Sequence, residues 1–447
     1  MRKILYSSVV LGLVATSASA FDYKVSGSAE SFTKWGFNNQ KLNKESGAAP
    51  TESFTTIFSQ LNLNLDLGAG FKAGFGGAIG GLAFDSTDGK DPKEPFSAVR
   101  NAYYGVSWDR GKVQNYMIQN AFVEYDNDTL YIKAGRYESG KVGEWFSGYN
   151  QGAEAAISLS VLKVWGFLSN RRAFAYDQWF NDFYRVHGQY NDSKATRNTY
   201  AAGLDLNFGG LTIGAFSYFT PGVYTAPGAN VTFKSNPSFE GQGFNATTKI
   251  RFLAPIADDS RVAGKCSADK ADECGLSGRD WGEIGKYSYT LYIDQRFDMD
   301  NLFFGVGYYQ NFGNANELIG RWGNPIGIDI WTAGAYDIGN ALTDIVGKNA
   351  VTGFGYLGAN YGSFDWKFIG RGTNSPRSAE QSVALLLNYQ IREDIAIGGK
   401  LEWFSDTTKA GYSPVVFGYG KGETPHKLKE KRTDDRSHAF FYIRHTF

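Results

Sequence analysis

Several residue types that a soluble enzyme of this size would use are scarce in this chain. Of its 447 residues, two are cysteine, three methionine, four histidine and 11 proline. The four histidines are His187, His426, His438 and His445, and no Gly-x-Ser-x-Gly elbow accompanies them, so a hydrolase built on a serine and a histidine is excluded. No apolar run of eighteen or more residues follows position 20, which excludes a spanning helix. An excess of charge is also missing: 45 Lys and Arg stand against 45 Asp and Glu, so nothing points to nucleic acid. Glycine is plentiful at 55 but has no three-residue period, which excludes collagen. The glycines of 74–81 precede no helix, which excludes a phosphate loop. No cofactor or metal set is indicated. Asp85, Asp88 and Asp91 cluster without calcium-loop spacing and read as a solvated connection, with calcium binding in an outer loop as the alternative. Cys266 and Cys274, in "KCSADKADECG", are expected to close a small disulfide loop in an exported protein. Two thiolates holding a metal are the alternative, though no histidine lies near them.

What is present begins with an export signal. Arg2 and Lys3 precede an apolar stretch over 4–14, and Ala18-Ser19-Ala20 forms a small-residue cleavage site. Residues 1–20 are therefore read as a cleaved signal peptide and 21–447 as one domain, since no linker interrupts the composition. Within it the hydrophobic period is two. Leu61, Leu63, Leu65 and Leu67 alternate into Gly68-Ala69-Gly70, then Phe71, Ala73 and Phe75 follow. This is a hairpin with a tight glycine turn. The same device recurs near Asn127, Gly209, Asp300, Gly362 and Glu393, and more weakly near Ser160. Between the hairpins lie long polar connections: 38–52, 81–111, 138–152, 171–197, 221–285, 313–348, 372–381 and 406–436.

Tight turns alternating with long connections are the pattern of a transmembrane barrel. The expected fold is all-β: a transmembrane antiparallel up-and-down β-barrel of 16–18 strands, with short periplasmic turns and long extracellular loops. The count reaches eighteen if 221–285 hides a hairpin around "TTKIRFLAPI". Aromatics crowd the apolar face near the tight turns (Phe71, Tyr125, Phe208, Phe297, Tyr361, Phe364, Tyr389), as an interfacial belt requires. The last strand alternates Phe441, Ile443 and Phe447 toward lipid with Tyr442 and Arg444 toward the interior, and it can close against the first strand. A terminal aromatic on such a strand resembles the signal read by the outer-membrane barrel assembly machinery.

The opposite faces carry Lys72, Lys133, Lys163, Arg296, Lys367, Arg371, Lys400 and Arg444, with Glu30, Asp66, Glu124, Asp205, Asp294, Asp365 and Glu402 among them. Enclosed charge must be paired or hydrated, and a ring this wide holds an aqueous channel. The expected function is a Gram-negative outer-membrane porin passing small hydrophilic solutes. A surface-binding protein or adhesin using the long loops is the alternative. Constriction candidates are Arg136, Glu138, Lys141 and Glu144 at the third connection, anchored by Trp145, Phe146 and Tyr149, then Arg171, Arg172 and Arg185 beyond it. Guanidinium groups suit carboxylates because they present a planar donor fork. Alternation from Ile132 aims Arg136 at lipid, so either a bulge re-aims it or it lies above the hydrocarbon.

The stretch "GRYE…FSGYNQGAEA" (135–155), with the barrel size and the aromatic end, resembles the OprD-like, Hof-type outer-membrane proteins of the Helicobacter and Campylobacter group. The resemblance implies an eighteen-stranded porin with an inward third loop and a basic strip for anionic or zwitterionic solutes. It also implies a monomer, with a trimer as the alternative. By motif, Arg136 and the run 146–152 carry over; the strip has no residue-by-residue match.

Overall fold

The computed structural model describes residues 22–90, 96–107, 111–140, 142–143, 145–185, 198–259, 262, 285–313, 335–336, 347–414 and 426–447. Cys266 and Cys274, Asp91, Lys141 and Glu144 lie outside the described residues. Eighteen long antiparallel strands form one closed sheet. In chain order they are β1 Asp22–Gly36, β2 Phe54–Gly68, β3 Phe71–Asp85, β4 Tyr116–Asp126, β5 Leu130–Glu138 and β6 Tyr149–Leu159. Next come β7 Leu162–Ala175, β8 Thr199–Phe208, β9 Leu211–Thr220, β10 Tyr224–Lys234, β11 Phe244–Leu253 and β12 Ser288–Met299. The last six are β13 Leu302–Gly313, β14 Val351–Asn360, β15 Phe364–Asn374, β16 Ser378–Arg392, β17 Ile395–Thr408 and β18 His438–Thr446. Among the described residues, one short helix, α1 Ala98–Ala102, lies between β3 and β4.

Each strand pairs with its neighbours in sequence, and β18 closes on β1 from Ser28 opposite Thr446 to Gly36 opposite His438. Phe447 adds a final rung, exchanging backbone hydrogen bonds with Gly27 at 2.8 and 3.1 Å. No long strand therefore presents an unpaired edge along its whole length to hydrocarbon, where nothing else could satisfy the amides. The period-two pattern sorts the faces as expected. Leu61, Phe75, Val123, Val306, Leu401, Phe441, Ile443 and Phe447 all point outward and are exposed on the wall. Aromatics mark both margins of this apolar band: Phe71 stacks with Tyr125 and Phe297 with Phe304 near the short turns, while Phe252 meets Tyr289 at the opposite margin.

One connection bears out the hidden hairpin and another differs from expectation. The stretch 221–285 contains a tight turn at 221–223 and the hairpin β10–β11 before the long connection 254–287, which supplies the two extra strands. The stretch 372–381 holds only the turn 375–377, because β15 and β16 run past the apolar band with polar outward faces. The abundance of glycine also gains a structural reason. Lumen-facing rings lie flat across glycines of the adjacent strand: Phe122 over Gly74, Trp165 over Gly203, Phe354 over Gly307, Tyr442 over Gly398. A Cβ at those positions would collide with the ring, so glycine lets bulky aromatics hug the wall. Asp85 is committed to its own connection, accepting from Thr87 Oγ1 and from Ser97 Oγ, the residue that caps α1.

Candidate functional site

Charge and apolar packing divide the space inside the wall. The second, third and fourth long connections turn inward and pack on lumen-facing aromatics. In the second, Tyr103 and Tyr104 are buried, with Tyr103 stacked 5.8 Å from Phe54 and Tyr104 5.5 Å from Phe180. In the third, Trp145 and Phe146 are buried, and Phe146 lies 4.3 Å from Phe167 and 4.9 Å from Tyr218. The fourth continues β7 into a hairpin whose return arm, Phe180–Tyr184, is wholly buried. This apolar filling departs from the expectation of an interior lined by charge and water. Alternation alone assigns Phe58, Trp165 and Phe216 to the lumen but cannot say that loops cover them.

The tip of the fourth connection reaches the opposite wall. Tyr176 and Asp177 line a cavity with Lys24, Glu30, Gln60, Asn62 and Arg444, from β1, β2 and β18. Thr56 Oγ1 on β2 donates to the Asp177 carbonyl, and Tyr176 Oη donates to Glu138 Oε1 at 3.0 Å. Arg444 Nε meets Glu30 Oε2 at 2.9 Å, and Ser28 Oγ donates to Glu30 Oε1 at 2.7 Å. Burial pushes the Asp177 carboxyl up to about 6; the Glu30 charge reinforces this and Arg444 opposes it. The tip thus sets two carboxylates and one guanidinium at the edge of the open lumen.

The remaining wall carries charges of both signs, with an acid near most cations. Arg296 pairs with Asp298 at 2.7 Å and lies 4.1 Å from the Phe303 ring. Arg371 pairs with Glu380 at 2.9 Å, and Lys400 with Glu402 at 2.7 Å. Lys133 meets Glu124 at 2.9 Å, and Lys72 approaches the same carboxylate at 3.9 Å. Lys367 stands over Tyr356, whose hydroxyl donates to Asp294 at 2.9 Å. Lys163 is half-buried beside Asp205 in register. Several partners follow a basic-x-acidic pattern, Arg296/Asp298 and Lys400/Glu402 within the wall, which places both charges on one strand face. That spacing is a signal legible in the sequence itself. Buried pairs the alternation pattern does not reveal are Lys34–Glu52 and His438–Glu402.

The constriction candidates are dispersed. Glu138 holds Tyr176, as described. Arg172 is buried and ties the fourth connection to the third, donating from Nε to the Ser147 carbonyl at 2.7 Å and from Nη2 to Ser147 Oγ at 2.8 Å. Arg171 Nη1 donates to the Phe183 carbonyl at 3.0 Å. Arg185 follows Tyr184 and is half-buried. Arg136 keeps the outward parity of Ile132 with no bulge, and its guanidinium stacks 4.5 Å from the Phe183 ring. The structure brings Glu30, Asp177 and Arg444 together although the three lie far apart in the sequence.

Solved structures share this architecture at low identity. The crystal structure of Acinetobacter baumannii OccAB1 matches with a TM-score of 0.61 and 11% identity over 96% of both chains. Pseudomonas aeruginosa OccK8 (OprE) matches at 0.63 and 11% identity over 95% of this chain and 98% of that one. Pseudomonas aeruginosa OpdK with vanillate matches at 0.60 and 10% identity over 95% and 98%. These likenesses show the fold. No curated protein matches the sequence. A family whose description reads "Putative outer membrane protein" matches over residues 8–447, which is nearly the whole sequence, and the chain belongs to that outer-membrane family.

Proposed function

We propose that the chain is a porin: a water-filled passage for small hydrophilic solutes across an outer membrane, with the basic side of its lumen guiding solutes that bear a carboxylate. One observation carries this reading. A closed wall with an apolar outer face encloses Arg251, Arg296, Lys367, Arg371, Lys400 and Arg444 on the inner faces of β11, β12, β15, β17 and β18. An adhesin would use this wall only as a pedestal and would display its loops. Here the second, third and fourth connections are instead packed inside. The shared fold of OpdK, solved with the carboxylate vanillate, supports the same direction. Removal of residues 1–20, insertion by the assembly machinery and a monomeric state complete the proposal.

Planar-bilayer recording of the purified protein tests it. Steady open steps are expected, with a reversal potential that moves toward cations in Lys367→Glu and Arg296→Glu. A correctly folded barrel that stays silent overturns the porin reading. A reversal potential unmoved by both substitutions overturns the carboxylate preference.

A further inference from the structure

The wall parts between β4 and β5. The ladder between β4 and β5 ends at Ala121 opposite Arg136. Beyond it β4 continues to Tyr116, paired only with β3, and β5 continues through Tyr137 and Glu138, paired only with β6. Above Ala121, among the described residues, no strand pairs with the β5-side edge of β4. The return arm Phe180–Tyr184 packs behind this parting, with Phe183 fully buried in a cluster that includes Met117 and Tyr149. Arg136 touches all sides of it. Its Nη1 donates to the Ile118 carbonyl on the bare edge at 3.2 Å, its Nε donates to Gln151 Oε1 on β6 at 3.0 Å, and its plane lies over Phe183.

We infer that Arg136 is a positioning residue: it pins the seam between β4 and β5 and, through Phe183, holds the inward hairpin that carries Tyr176 and Asp177 to the constriction. The fork is what matters. A guanidinium can donate in two directions while its face stacks on a ring, and an ammonium cannot. The charge of Arg136 then acts on the hairpin and not on the passing solute. This also resolves why an outward-parity arginine is tolerated: it spends its donors on the Ile118 carbonyl and the Gln151 amide oxygen.

The inference rests on the porin reading for its functional consequence but not for its structural one, so two measurements are paired. Hydrogen exchange across 176–184 in Arg136→Ala and Arg136→Lys, compared with the unaltered protein, tests the clamp without any current. Exchange is expected to rise at least several-fold in both, and protection left intact in both overturns the inference. Bilayer recording then reads the consequence: both variants should flicker between conductance levels while the reversal potential stays put. Rescue of steady current by lysine, or a shifted reversal potential with steady current, would overturn the positioning role in favour of direct action on solute. Heat-modifiable migration confirms that each variant is folded; if alanine fails to fold, lysine alone decides. Silence of the unaltered protein would sink the porin reading and leave the exchange result to stand.

Discussion

A single carboxyl at the lumen edge gives this barrel a residue-level dependence on pH. Asp177 sits on the tip of the fourth connection, close to Glu30 and Arg444, and its carboxyl titrates near 6 because burial disfavours the ion. Above that value the Asp177 carboxyl is charged; below it Asp177 is neutral and one negative charge leaves the cavity it lines with Glu30 and Arg444. Cation preference should therefore fall as pH drops from 7.5 to 5, read as the reversal potential in a salt gradient. Asp177→Asn should remove that dependence and fix the channel in its low-pH state at both values. A pH profile unchanged by the substitution would assign the titration elsewhere. None of this was legible along the chain. Asp177 and Glu30 are far apart in sequence, and only the inward fold of the hairpin makes them neighbours.

At the scale of the element, legibility tracked the membrane. Where a strand crosses the apolar band its outward residues must be greasy, so Leu61 to Phe75 and Val383 to Leu401 declare their period and their glycine turns. Where strands run on above the band that demand lapses. The polar top of β15 and β16, Thr373 to Ser382, reads as a loop although all but its turn, 375–377, is ladder. The hairpin β10–β11 is visible only through "TTKIRF" for a different reason: the outward positions of β10 include Thr225, Pro227 and Ala229, which blur its apolar face. Pairing of lumen rings with glycines is a second element-level rule, and it is testable. Gly307 on β13 lies beneath the Phe354 ring of β14. Gly307→Val should cost about 1–3 kcal/mol by overpacking and swing the ring into the lumen, lowering single-channel conductance. Adding Phe354→Ala should restore conductance and most of the stability, measured by urea unfolding. If Gly307→Val alone leaves both unchanged, the ring does not need the glycine.

For the whole molecule, the decisive event is closure, because every amide facing hydrocarbon must find a partner within the chain. β1 and β18 meet along nine residue pairs, and Phe447 extends that seam by two backbone hydrogen bonds to Gly27. The ring of Phe447 also lies against Gly27 on the outward face, where a side chain would leave it no space. The last residue thus contributes to the seam twice, through its backbone and through an aromatic that covers the first strand. Deleting Phe447 removes both, and it also removes the terminal aromatic expected to be read during assembly. Phe447→Ala keeps the backbone rungs and removes only the ring. If closure is the chief demand, the deletion should lower the yield of heat-modifiable, protease-resistant barrel from cells far more than the alanine variant does. If recognition of the terminal aromatic is the chief demand, the two variants should lose yield equally in cells yet differ when refolded into detergent without assembly factors, the alanine variant refolding like the unaltered chain. Equal and full yield from both in cells and in detergent would mean that the final residue serves neither purpose.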